Sequence, residues 1–352
     1  MQPQPDLAPV KVGLVVSCQA PLGTSLAEYA ESEIRLVHAA RDGGWNSVWA
    51  VHHYMPELMQ MPQPAAWLSR LIPETGSMEL GTGILVLPLL NPVDVAETYG
   101  SIDVLAGGRL ILGVGLGYRR EEFEAFGLDI ADRVRRLTTN VDILTRLWES
   151  PPGGVTAEAG WVTLNNATLA AVPRRPRPTI LVGANKEVAI RRAARIADGW
   201  LISPFTPHRK LEAQLDLFWQ EREAAGRSGG VLVLGREIYC APTDEEAVDV
   251  AARYLRDKYS AYASWRGSTK DGHRNDFAGF ARDRFVLGRP ETCVAALAPY
   301  LKAGVRHFKF RTRWLGMGEA EALASIRLLT AEVVPALREL AAKDSIDEPR
   351  AH

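Results

Sequence analysis

ELGTGILVLPLLNPVDVAETYGSIDVLAGGRLILGVGLGY, residues 79–118, holds one complete strand–helix–strand unit, and its reading decides the fold. Met78 to Leu87 is a run of apolar residues of strand length. Asn91-Pro92 supplies a helix cap and a proline at the first helical position, and Gly107-Gly108 ends the helix that spans Val93 to Leu105. Leu110 to Val114 is a second apolar strand. Neither strand alternates polar with apolar, so both faces are covered, which is the signature of a parallel sheet under helices. The same rhythm runs outward. Upstream are the strand Val12 to Ser17, the helix Ser25 to Arg41 and the strand Ser47 to Val51. Downstream, a helix over Val134 to Trp148 leads to strands at Thr179 to Val182, Gly199 to Ile202, Val231 to Cys240 and Val305 to Phe310. Helices over Lys186 to Ile196, Pro207 to Ala225, Asp244 to Tyr259 and Glu319 to Leu340 follow these strands. Eight such units predict an α/β fold closed into a (β/α)₈ TIM barrel, with its chemistry on the loops that follow the strands. Residues 11–341 form that single domain, residues 1–10 a disordered N-terminal tail and residues 342–352 a C-terminal tail. Two insertion loops, His52 to Pro73 after strand two and Ser260 to Gly288 before strand eight, are long enough to be lids.

Composition narrows the function classes. The 352 residues include 41 basic and 42 acidic side chains, a formal net charge of −1, which argues against nucleic acid or an anionic membrane as partner. Cys18, Cys240 and Cys293 are far apart and form no C-x-x-C pair, so neither zinc nor a disulfide framework is expected and no metal is assigned. The proline-rich start lacks a signal peptide's charge and apolar run, and the longest apolar stretch, Gly83 to Leu90, is far short of the ~20 residues of a membrane helix. A cytoplasmic protein is expected.

Four segments can carry chemistry. Val51-His52-His53-Tyr54 places two histidines at the end of strand two, where an imidazole can move a proton near neutral pH or simply cap the strand. Gly113-Val114-Gly115-Leu116-Gly117-Tyr118 ends strand four. Its G-x-G-x-G spacing and its place in the fourth unit exclude the nicotinamide-dinucleotide fingerprint. Bare backbone at Gly115 and Gly117 suits either a flat ligand or a plain turn. Gly183-Ala184-Asn185-Lys186 ends strand five and opens a helix, where backbone N–H groups, the helix dipole and Lys186 favour a phosphate, although capping by Asn185 explains it equally. Thr82-Gly83-Ile84 interrupts strand three with a glycine, a mark of a bulge or of close ligand approach, and Asn91 stands at its exit.

Together, "GWNSVWAVHHY", "ELGTGILVLPLLNPVDVAE", "GGRLILGVGLGYRREEFEAFG", "PTILVGANKEVAIRRAARIADGWLISP" and "VRHFKFRTRWLGM" resemble the bacterial-luciferase-like flavin monooxygenase superfamily, in order, from about Val12 to Leu337. The resemblance implies a metal-free barrel holding reduced FMN or, in a sister branch, the deazaflavin coenzyme F420. It implies a bulge in strand three with a cis Gly83–Ile84 peptide against the isoalloxazine ring, His52 as the catalytic histidine, and the phosphate on Gly183 to Lys186. Cofactor contacts are then expected from Thr82, Gly83, Ile84, Asn91, Gly115, Gly117, Tyr118, Gly183, Ala184, Asn185 and Lys186. The expected function is a monooxygenase that uses reduced FMN and O₂ on a small organic substrate. A separate flavin reductase would serve it, and the chain would form a homodimer. The alternatives are a deazaflavin-dependent dehydrogenase or reductase and a non-catalytic flavin-binding protein. Two positions depart from the pattern: Val51 stands where the family carries an acidic residue, and Leu116 or a glycine where it carries an arginine.

Overall fold

The computed structural model describes residues 9–149, 151–173, 177–265 and 277–347. Eight parallel strands close on themselves: β1 (Lys11–Val15), β2 (Ser47–Ala50), β3 (Glu79–Thr82), β4 (Leu110–Gly115), β5 (Thr179–Ala184), β6 (Gly199–Ile202), β7 (Val231–Cys240) and β8 (His307–Arg311). Each pairs with the next, and β8 returns to β1 through Lys11↔His307 to Leu14↔Phe310. The predicted closed barrel is the observed fold.

The strands read as unbroken apolar runs because their side chains serve two cores. One phase, including Leu14, Val48, Leu80, Leu112, Val182, Trp200, Leu234 and Phe308, packs outward under the helices. The other phase, Val15, Trp49, Ile111, Leu181, Leu201 and Val233, forms a separate cluster in the lumen. Trp49 dominates that inner cluster. It is wholly buried, and its indole N–H donates to Ser47 Oγ at 2.8 Å, which in turn bonds His307 Nε2 at 2.8 Å. Room for the indole comes from glycine. A Cβ at Gly81 would run into its benzo ring, and one at Gly13 would run into Ser47 Oγ.

Strand three breaks as expected. Leu80 and Gly81 pair with Leu110 and Ile111, but the strand resumes with Leu85 and Val86 opposite Val114 and Gly115, one residue out of step. The Gly83–Ile84 peptide within that slip is cis.

Both insertions differ from the sequence expectation. The stretch after β2 contains a two-residue strand, Met59–Gln60, antiparallel to Ala20–Pro21, and a helix, Pro64–Leu71, which buries Trp67, Leu68 and Leu71. Two turns opened by a proline are too short to show a helical period. Before β8, the helix beginning at Asp244 runs on to Trp265. Residues 266–276 of the expected lid lie outside the described residues. After them come a helix, Phe277–Arg282, a strand, Val286–Gly288, against the end of β7, and a helix, Pro290–Lys302. A polar hairpin, Val155–Glu158 with Thr163–Ala167, lies between β4 and β5 and was not anticipated. Among the described residues, no helix is long and apolar enough to cross a membrane.

The indole's seat gives a direct test. Gly81→Ala forces Trp49 out of its place in a packed interior, an overpacking change that costs about 1–3 kcal/mol. Urea unfolding should show that loss, whereas a fully stable variant would mean that the lumen is not filled as described.

Candidate active site

A cavity of about 830 Å³ opens at the C-terminal ends of the barrel strands. Its lining carries the basic side chains of Arg133, Lys186, Arg192, Lys309 and Arg311 against the acidic ones of Glu122 and Glu237, while Arg236, also at its wall, turns its guanidinium to the Tyr300 hydroxyl. The chain as a whole is nearly neutral, so the basic excess is local and suits an anionic ligand.

The floor is apolar. Ile84, just beyond the register slip, rests on bare backbone: a Cβ at Gly115 would sit 3.0 Å from its side chain, and one at Gly183 2.9 Å from it. Those two glycines make room for Ile84. Gly117 has φ +72°, a left-handed conformation that glycine adopts freely, and a Cβ there would also strike Val86. Gly83, Ile84, Gly115, Gly117 and Tyr118 line the cavity.

His52 and His53 both line it, because the chain has left β2 at Ala50 and strict alternation no longer holds. Their environments differ. His52 is buried, and its Nδ1 accepts a hydrogen bond from the Val86 N–H at 3.0 Å. Its Nε2 is buried and, among the described residues, has no partner at bonding distance, although the Gln63 amide lies near enough to favour protonation. Burial, and then the neighbouring His53, push its pKa down to about 4. At neutral pH the ring is therefore uncharged. A backbone N–H can only donate, so Nδ1 holds the lone pair and the single proton sits on Nε2.

His53 Nδ1 lies 3.2 Å from Glu122 Oε1, and the same oxygen accepts the Tyr54 N–H at 3.0 Å. Burial raises the Glu122 pKa, but its bond to His53 and that residue's charge outweigh this, and it lies below the usual carboxylate range. Arg119 braces the turn, donating to the Tyr54 carbonyl at 2.7 Å. In place of a carboxylate at position 51, Glu122, 69 residues beyond His53, supplies one, and it serves His53 rather than His52.

At the far end of the cavity, Gly183, Ala184, Asn185 and Lys186 line the wall where β5 gives way to the helix Glu187–Ile196. Lys186 itself occupies the cap position and offers no side-chain cap. Asn185 does not cap either: its Oδ1 lies 3.4 Å from Thr206 Oγ1. Arg192 joins Lys186 on the cavity side of this helix. The spacing Lys186, Ala189, Arg192 was readable as one helical face but was not used.

Two expected contacts are elsewhere. Thr82 is wholly buried between strands, donating to the Gly113 carbonyl at 2.8 Å, and Asn91 caps the helix Pro92–Leu105 through the Val93 N–H at 2.9 Å. Neither is among the lining residues. Both have structural employment, and the family pattern alone could not separate it from ligand contact.

Lys309 was missed. It is buried on β8, its Nζ 3.3 Å from the Gly83 carbonyl and 5.3 Å from the centre of the Trp49 ring. Burial, with help from Arg311 and against Glu237, pushes its pKa down to about 7.

A closed barrel, an apolar cavity floor, basic side chains near a helix end and a neutral imidazole thus meet at one site. The sequence model described as luciferase-like monooxygenase matches residues 10–307, and the chain belongs to that family. An F420-dependent glucose-6-phosphate dehydrogenase of Kineococcus radiotolerans is 27% identical over 94% of this chain and 98% of its own. The oxygenase component of a flavin-dependent trigonelline monooxygenase from Acinetobacter baylyi is 23% identical over 87% of this chain and 89% of its own. The crystal structure of the monooxygenase RslO1 from Streptomyces bottropensis superposes with a TM-score of 0.82 at 22% identity, covering 92% of this chain and 99% of that one, and shares the fold.

The buried His52 makes stability depend on pH. The unfolded chain's imidazole takes up a proton near 6.5 and the folded one near 4, so the unfolded state binds more protons in that window. Stability is present above 6.5 and falls as the pH drops towards 4. His307, pushed by burial down to about 3, adds to the same loss. His52→Gln should reduce the acid loss by on the order of 3 kcal/mol, read from urea midpoints at pH 7 and 4.5. An unchanged loss would mean that His52 is charged in the folded state.

Proposed function

We propose that this protein is a monooxygenase that binds reduced FMN and uses O₂ to oxidise a small organic substrate, with a separate reductase supplying the cofactor. The observation that carries this reading is the Val86 N–H bond to His52 Nδ1, which places the ring's proton on Nε2. An uncharged imidazole in that state donates a hydrogen bond to developing negative charge on oxygen; it cannot accept a proton at Nε2.

The residues present suit the group. Ile84 on its two glycines offers a flat apolar face of ring size, and His52 lines the same cavity with a buried, unpartnered nitrogen. The end of β5 offers helix N–H groups with Lys186 and Arg192 for a phosphate. When bound, reduced FMN supplies the two electrons that activate O₂. The chain binds and orients that group, excludes water over Ile84, and holds a donor proton at His52 Nε2. The absence of a nicotinamide fingerprint supports an external reductase.

A second reading has its own support. Relatives named F420-dependent dehydrogenases, and a cavity rim with three cations at Arg133, Lys186 and Arg192, favour the deazaflavin coenzyme. With its proton on Nε2, His52 would then serve carbonyl reduction, where the substrate oxygen accepts a proton, better than alcohol oxidation.

Anaerobic titration with each reduced cofactor separates the two. Saturable binding of reduced FMN, followed by O₂-dependent oxidation of added substrate, supports the first. Binding of reduced F420 that is inert to O₂ but oxidised by an added carbonyl compound replaces it with the second. His52→Ala should cut turnover by about 10²–10⁴-fold with cofactor affinity retained. Lys186→Ala should weaken FMN more than riboflavin, since only FMN carries the phosphate. Equal losses for both ligands would remove Lys186 from the phosphate site.

A further inference from the structure

We infer that Lys309 is a further residue of this active site: its amine, lodged in a slot between Gly83 and Gly235, takes a proton from solvent when an anionic reduced cofactor binds and pairs with that cofactor's charge. The inference rests on the cofactor reading just given.

The slot is built. A side chain at Gly83 on the β3 side would strike the Lys309 amine, and one at Gly235 on β7 would bring its Cβ within 3.2 Å of Cε. The Trp49 ring closes a third side. Two separate strands thus forgo a side chain where a single amine fits. A methionine or leucine would fill the same volume without desolvating a cation, so packing alone does not account for a lysine here.

The groups around it leave its charge adjustable. On its own strand are His307, which is bonded to Ser47, and Arg311, which donates to Gln19 at 3.2 Å. β7 presents Glu237, whose carboxylate is engaged by the Trp314 indole at 2.7 Å and by the Tyr259 hydroxyl at 3.2 Å. β1 presents Val15 and β2 presents Trp49, and β3 offers only the Gly83 carbonyl. Among the described residues, Lys309 has no ion-pair partner. Without ligand the amine is therefore close to half protonated near pH 7. A reduced isoalloxazine ring readily carries a negative charge, whereas the oxidised ring of FMN is neutral. An anion on the cavity floor favours the ammonium form, and one proton moves from solvent to Nζ with no other bond changed.

The test is anaerobic calorimetry in buffers of different ionisation enthalpy, which counts protons taken up on binding. Reduced FMN is the probe, with oxidised FMN as control because both carry the same phosphate, and reduced F420 is the second probe. At pH 8 the wild type should take up close to one more proton per reduced FMN than per oxidised FMN, and the excess should fade at pH 6, where the amine is already charged. Lys309→Met, which fills the slot without an amine, should abolish the excess and weaken reduced FMN at pH 8 by about tenfold, the fold-change that accompanies uptake of nearly a full proton at that pH. Binding without excess uptake in the wild type, or with an excess that survives in K309M, overturns the role of Lys309 and leaves the cofactor reading standing. If neither reduced cofactor binds the wild type, both fall together. The wild-type proton count decides the matter even if K309M does not fold.

Discussion

Trp49 lies inside the barrel with bare backbone at Gly13 and Gly81 on the strands to either side of it. Everything above depends on that arrangement. One indole, anchored through Ser47 and His307, fills the lower lumen that several aliphatic side chains would otherwise share. The levels above it are then free to carry glycine at Gly83, Gly115, Gly183 and Gly235, and the barrel stays open at its C-terminal end. A cavity in a protein interior normally costs stability. Here the cost is confined to the C-terminal end of the barrel, above a level already filled by an aromatic ring.

The two histidines show how a site is divided between strands. His53 shares a carboxylate with the Tyr54 backbone and so belongs to the fastening of its loop. His52 accepts the neighbouring strand's Val86 N–H on Nδ1, and only the Gln63 side chain stands near its other nitrogen. Adjacent in sequence and chemically identical in the unfolded chain, they are separated by a carboxylate on one side and an amide on the other.

Much of this was legible in the sequence, for physical reasons. Strands buried on both faces read as apolar runs, so all eight barrel strands could be placed, and Gly83 inside one of them marked the register slip. Lys309 was illegible for the opposite reason. His307, Lys309 and Arg311 alternate with Phe308 and Phe310, and polar residues at every second position read as a solvent face. In a strand whose outer side is covered by helices, that polar stripe has nowhere to point but the lumen, and this signal could have identified it. Pro64–Leu71 was hidden by its brevity, and Thr82 and Asn91 by the fact that hydroxyls and amides bond backbone and ligand alike. Glu122 could not be found from the sequence, since only folding brings it to His53.

The one-residue slip in β3 reaches further than the shape of the cavity floor. It sets where Val86 sits against β4, and with it the direction of an amide that ends on His52. The tautomer of that imidazole is thus written in the backbone of another strand, not in the histidine or its sequence neighbours. A deletion that restored even pairing would leave His52 in place and remove the donor that fixes its proton on Nε2. Such a chain would keep the same side chains around the cavity while the imidazole lost its fixed tautomer, a change that no comparison of those residues could detect.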